Sequence, residues 1–183
     1  YHMQKVTGFP PNRVCGQAGV LDSARMTHFV ADAVGCSEED VHAMVLGGHG
    51  DTMVPLPRFT TVGGISITHL LDSDAIESIC NRTASGGGEI VKLLERGSAF
   101  YAPGSAAAVM AEAVLNDRTR MIPASAQLTG QYGLDDVYIG VPVILGAGGI
   151  ERIIELDLTE AELAKLQESG NFYKSQLSEL LGY

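Results

Sequence analysis

Three strand-like apolar runs in the second half of the chain constrain its fold more than any other feature: Met121 to Leu128, Val137 to Leu145 and Ile150 to Leu156. Gly130-Gln131-Tyr132-Gly133 separates the first two, and Gly146-Ala147-Gly148-Gly149 the last two. Neither connection is long enough for a crossover helix, so the runs are expected to join as hairpins. Helical patterns surround them. Leu21 to Val34 has apolar residues at Leu21, Phe29, Val30, Ala33 and Val34 and ends at Gly35, which predicts an amphipathic helix with a glycine cap. The combination predicts an α+β domain.

The last helix is the best specified. Thr159 and Glu162 form a capping box, with Leu158 and Leu163 at the positions of a hydrophobic staple. Leu163, Leu166, Tyr173, Leu177 and Leu180 then repeat at helical spacing, so one face packs. Asp72 to Glu95 is a long helical stretch containing Gly86-Gly87-Gly88. Each interior glycine costs roughly 1 kcal/mol against alanine, so a break or kink is expected there. Pro103 is expected to open the next helix, running to about Asn116. Toward the start, residues 1–8 read as a helix end closed by Gly8-Phe9-Pro10-Pro11. Arg13 to Gly16 reads as a short buried strand, Val41 to Leu46 as a compact apolar strand, Val54 to Pro57 as an edge-like piece, and Thr60 to Ile67 as a strand.

The formal net charge of the 183 residues is -10, which argues against a nucleic-acid or anionic-membrane surface. A small anionic substrate is still compatible, since one or two well-placed arginines suffice. No apolar run approaches the roughly 20 residues needed to cross a bilayer. Cys15, Cys36 and Cys80 are odd in number and far apart, without CxxC spacing, which predicts reduced thiols in a cytosolic protein.

Two segments could carry chemistry. Asp22 and Arg25, three apart at the start of a helix, lie on neighbouring positions of one face. Taken alone, the pair reads as an aspartate favoured by the helix dipole beside an ordinary surface arginine. The second segment is Gly47-Gly48-His49-Gly50-Asp51, directly after an apolar run. Its glycines allow close backbone approach and leave the imidazole exposed at a strand end. Histidine titrates near neutrality and is the usual general acid/base. The alternatives for His49 are a loop histidine bonded to Asp51, or the start of a metal site for which no third ligand follows at suitable spacing; a metal is not expected. No GxSxG nucleophile elbow occurs.

The stretches AGVLDSAR (18–25) and LGGHGDTMVPL (46–56) resemble the two signatures of the lactate/malate dehydrogenase family, closest to its bacterial, lactate-dehydrogenase-like malate dehydrogenases. GGGEIVKLLERGSAFYAPGSAA (86–107), GQYGLDD (130–136) and GVPVILGAGGIE (140–151) resemble the same subgroup, in the same order. The resemblance implies an NAD-dependent oxidoreductase interconverting malate and oxaloacetate, a small dicarboxylic acid pair. In it His49 is the proton donor and acceptor, Asp22 orients the imidazole, and Arg25 grips the C1 carboxylate in a two-bond fork. It also places Ala99 in the substrate pocket, where a small residue leaves space for a second carboxylate, and Pro103 on the nicotinamide side.

It further implies that residues 1–19 are the tail of a Rossmann cofactor domain and 20–183 the substrate-binding, catalytic domain. No GxGxxG is present; in Gly146-Ala147-Gly148-Gly149, Glu151 stands where the third glycine belongs. The rest of the cofactor site would lie upstream of Tyr1, so these 183 residues alone are expected to be inactive. The family's pairing of subunits through the helix after Leu21 implies a homodimer or homotetramer. Two other readings remain: a lactate or other 2-hydroxy-acid dehydrogenase, and an inactive assembly module. His2, His28, His42 and His69 match no family site and are expected to be surface or satisfied side chains.

Overall fold

The protein is represented by a computed structural model that describes residues 1–181. Helix α1 (His2–Thr7) ends at Gly8 in the left-handed region and buries none of its residues. Where a strand over 13–16 is expected, residues 11–13 form a 3-10 turn and only Gly16 pairs, through a single bridge to Ser125. Helix α2 (Ala18–Val34) is capped by Gly35 at φ 75°. Its face serves two cores. Val20 packs on one apolar cluster, while Met26, Val30 and Ala31 belong to the other.

The run expected as one strand over 41–46 divides between two sheets. Strand β1 (Val41–His42) joins β4 (Thr61–Val62) and β5 (Ile65–Ser66) in a small three-stranded sheet, whereas β2 (Val45–Gly47) enters the main sheet with β3 (Met53–Pro55). The strand expected over 60–67 is likewise the β4–β5 hairpin, turned at Gly63-Gly64. The sequence does not show the change of sheet partner, because Val41 in one half and Val45 and Leu46 in the other all need burial.

Helix α3 (Ser73–Leu94) runs through Gly86-Gly87-Gly88 without a break, contrary to the expectation from propensity. The side chain of Arg25 lies across this turn. A Cβ at Gly86 would sit 3.3 Å from Arg25 Cδ, and one at Gly87 3.3 Å from Arg25 Nη2. The glycines are thus a bare floor for a guanidinium, and tertiary contact overrides local preference. Helix α4 (Tyr101–Leu115) starts two residues before Pro103 rather than at it. The proline is accommodated because the first four N–H groups of a helix have no intrahelical acceptor.

Strands β6 (Arg120–Thr129), β7 (Asp135–Gly146) and β8 (Gly149–Ile153) are the expected hairpins. In the main sheet, of order β3-β2-β7-β6 with β8 also on β7, every pairing is antiparallel. That agrees with the predicted α+β class. Its core holds Ala124, Leu128, Val137, Ile139, Val141, Val143 and Leu145, each nearly or fully buried. Helix α5 (Glu160–Leu181) packs against β2, β3 and β7. Its capping box is present: the Thr159 N–H donates to Glu162 Oε2 at 2.8 Å, and the Glu162 N–H to Thr159 Oγ1 at 3.2 Å. Leu158, Leu163 and Tyr173 pack on the main core with Leu166 fully buried, while the side chain of Leu180 lies outside the described part of the chain.

Candidate active site

Helix α2 begins at Ala18, so Asp22 stands in its second turn and faces inward with 1% exposure. The dipole role that the aspartate alone would suggest therefore does not apply. Both of its carboxylate oxygens are used. Oδ1 accepts from Arg25 Nη1 at 3.2 Å, and Oδ2 pairs with His49 Nδ1 at 3.0 Å. A buried carboxylate is expensive unless paired and hydrogen-bonded, which explains why the two partners converge on it.

His49 sits just beyond β2, on the turn that leads back into β3. Gly47 adopts φ 82°, a conformation in which a side chain would be strained and which turns the chain out of the sheet. The imidazole pairs with Asp22 rather than with Asp51, and its side chain is 48% exposed. With Nδ1 engaged, Nε2 is the nitrogen left for a ligand. The hydrogen bond to Asp22 and that residue's charge hold the His49 pKa above the usual imidazole value. Partial burial and the Arg25 guanidinium oppose them.

Arg25, its side chain only 9% exposed, spends one Nη on Asp22 while its buried Nε has no partner among the described residues. It borders a cleft of about 730 Å³ whose lining also includes His49, Asp51, Ser85, Gly87, Ala99 and Pro103. All five residues singled out in the sequence therefore meet in one place. Four line the cleft, and Asp22 lies behind it, joining His49 to Arg25. Sequence reasoning missed the role of Gly86 and Gly87 as the surface on which Arg25 rests. It also missed Ser23, whose hydroxyl accepts from the Val45 N–H at 3.1 Å and so ties α2 to β2. The glycine triplet was the available signal, misread as a break.

Small, mostly apolar lining at Val91, Ala99 and Pro103 suits a flat ring such as a nicotinamide. It does not suit a pyrophosphate, because among the described residues Arg25 is the only lysine or arginine lining the cleft, and it is already engaged. The remaining histidines lie apart: His28 pairs with Glu38 at 2.6 Å on the surface, and His2, His42 and His69 are exposed. Among the described residues no group of three or more His, Cys, Asp or Glu side chains converges, and no helix is long and apolar enough to cross a membrane.

A family model described as lactate/malate dehydrogenase, alpha/beta C-terminal domain, matches residues 19–181. The malate dehydrogenase of Thermomicrobium roseum is 61% identical over 167 residues, which are 91% of this chain and 54% of that protein. Malate dehydrogenase 1 of Anaeromyxobacter dehalogenans is 56% identical over 179 residues, 98% of this chain and 57% of its own. Among solved structures, the malate dehydrogenase of Salinibacter ruber superposes with a TM-score of 0.94 at 54% identity, over 97% of this chain and 58% of that one. A lactate dehydrogenase from Eimeria maxima, solved with NADH and oxamate, gives 0.94 at 42% identity over 98% and 57%. The chain spans less than three fifths of the length of these relatives.

Proposed function

The chain belongs to the lactate/malate dehydrogenase family, and on that premise we propose that it supplies the substrate half of an NAD-dependent dehydrogenase that interconverts malate and oxaloacetate. The observation that carries the reading is the convergence of His49 and Arg25 on the two oxygens of buried Asp22, at the edge of one cleft. Relatives named malate dehydrogenase support the choice of substrate, and relatives solved with NADH or NAD support the cofactor.

When bound, the nicotinamide supplies a hydride acceptor for the alcohol, or a hydride donor for the ketone. The work of this chain is to hold and move a proton. In malate oxidation, His49 Nε2 takes the hydroxyl proton, and the imidazolium so formed is stabilised by Asp22 against Nδ1–H. In the reverse direction the same proton returns to the carbonyl oxygen, and the raised pKa of His49 keeps it available. Arg25 offers its remaining N–H donors to the C1 carboxylate, a planar fork that a lysine does not reproduce. Ala99 leaves room for the second carboxylate, and Pro103 with Ala99 forms the wall against which the nicotinamide would rest. Residues 1–19 we read as the tail of the cofactor domain; α1 leaves Met3 and Val6 exposed, and Phe9 just beyond it is exposed as well. The apolar groove between α2, α3 and α4, lined by Leu21, Phe29, Ile90 and Leu93, is the face we assign to pairing with a second subunit.

The test is His49→Asn in the complete dehydrogenase, assayed with NADH and oxaloacetate. A fall in kcat of about 10²–10⁴ is expected, with NADH affinity retained. Near-normal turnover would remove His49 from its role, and preference for pyruvate would move the reading to a lactate dehydrogenase. In the same assay the 183 residues alone are expected not to turn over.

A further inference from the structure

A single hydroxyl on α5 closes the loop that carries His49. Ser169 is 3% exposed, and its Oγ makes two hydrogen bonds to opposite ends of that loop. It accepts from the Gly48 N–H at 3.0 Å and donates to the Thr52 carbonyl at 2.7 Å. One turn further along the helix, Tyr173 Oη accepts from Thr52 Oγ1 at 3.3 Å and reaches the carbonyl of His49 itself at 3.5 Å. Nothing intervenes between ring and loop: a Cβ at Gly48 would overlap the Tyr173 ring and Thr52 Oγ1. We propose that Ser169, assisted by Tyr173, is a positioning residue for His49, setting from α5 the loop geometry in which the imidazole meets Asp22.

The imidazole is attached to the protein at two places. Its Nδ1 is bonded to a carboxylate on α2, and its backbone rides on a loop fastened to α5, which lies 120 residues away in the chain and packs on β2 and β3. The loop is five residues long, and Ser169 ties its first, Gly48, to its last, Thr52. Three of the loop's residues, Gly48, Gly50 and Asp51, have little side chain or an outward one to hold them: Gly50 has no atom within 4 Å of where a Cβ would stand, and Asp51 is exposed. Without the hydroxyl, the Gly48 N–H loses its acceptor in a buried setting, and the loop is free to relax. Displacement of an acid/base by about 1 Å is enough to cost about a hundredfold in rate. The inference rests on the Asp22–His49 pairing of the proposed function, and goes beyond it by assigning a role to residues on α5.

The test follows the imidazole by NMR in the 183-residue chain, where turnover is not needed. Among the described residues, the charged groups that pair with the ring or line its cleft are Asp22, Arg25 and Asp51. Ser169→Ala and Tyr173→Phe are compared with Gln167→Ala, which removes an α5 hydrogen bond of 2.9 Å to the Tyr132 carbonyl and touches no part of the loop. Ser169→Ala is expected to lower the His49 pKa by about half a unit or more as the Asp22 hydrogen bond loosens. Tyr173→Phe should lower it less, and Gln167→Ala not at all. A folded Ser169→Ala with an unshifted His49 overturns the proposal, as does an equal shift in Gln167→Ala. If Ser169→Ala does not fold, Tyr173→Phe decides: an unshifted His49 there overturns it. A His49 that titrates in the parent chain at or below the ordinary value of about 6.5 sinks the Asp22 pairing itself, a separate failure.

Discussion

Among the regions that hold an arginine against a carboxylate, two do so in opposite ways. Arg58 and Glu162, beside the start of α5, make a two-bond fork at 3.1 and 2.9 Å. Arg58 also bonds the Asp157 carbonyl, and Glu162 receives the Thr159 N–H, so both side chains are well provided with partners, and Arg58 is 46% exposed. Arg25 and Asp22 share one bond of 3.2 Å, are 9% and 1% exposed, and leave the Arg25 Nε unmatched among the described residues. The surface pair fastens a helix start and has nothing left over. The buried pair leaves one guanidinium nitrogen unmatched among the described residues, and Arg25 also borders the cleft. On the proposed function, the remaining donors of Arg25 would answer a bound carboxylate, which the fully matched surface pair has no donors left to do.

Asp22→Asn presses hardest on this contrast. It leaves a guanidinium buried beside a neutral amide, and loss of one partner of a buried pair is worth about 3–5 kcal/mol. Urea unfolding would measure it, and a loss below about 1 kcal/mol would mean that the pair behaves as a surface one. Arg25→Lys is the next largest. It keeps the charge and removes the fork, so in the complete dehydrogenase kcat/KM for oxaloacetate is expected to fall about ten- to a hundredfold, in line with about 1.5–3 kcal/mol for a hydrogen bond to a charged group. Unchanged kcat/KM would show that the carboxylate is held elsewhere.

The smallest effect belongs to Glu162→Gln. Arg58 holds the Glu162 carboxyl below its ordinary value, so the pair's contribution is present at neutral pH and is lost as pH falls through that lowered value. The variant should be slightly less stable at pH 7, with the difference disappearing in acid and shrinking in high salt. His49 has the opposite sign. Its raised pKa gives stability that is complete below the usual imidazole value and is lost as pH rises through the higher folded one.

What could be read from the chain beforehand was what local chemistry writes down. The capping box at Thr159 and Glu162, the α2 helix with its Gly35 cap, and the β6–β7–β8 hairpins all involve residues close in sequence. Of the five candidate site residues, His49 stood out from its glycine-flanked setting, while the other four were legible only through resemblance; as isolated side chains, Asp22 and Arg25 read as a helix-dipole aspartate and an ordinary surface arginine. Contacts between distant segments were not legible. Gly86 and Gly87 looked like a helix break because the arginine that lies on them is some sixty positions away. The division of Val41 to Gly47 between two sheets left no mark, since both halves carry buried valines. Ser169 is an ordinary helical serine until β2 is packed beneath it.

One feature of α2 bears on the proposed reaction. Asp22, which pairs with the imidazole, and Arg25, to which the proposal gives a substrate carboxylate, are three residues apart on one helix, a rise of about 4.5 Å at 1.5 Å per residue. The helix therefore serves as a ruler with two marks, one for the hydroxyl and one for the acid group. A 2-hydroxy acid, with those groups on adjacent carbons, matches that scale. An acid with the hydroxyl one carbon further out would be displaced at one mark or the other, and no rotamer corrects an interval cut into backbone. On that proposal, discrimination by length is built into α2 itself.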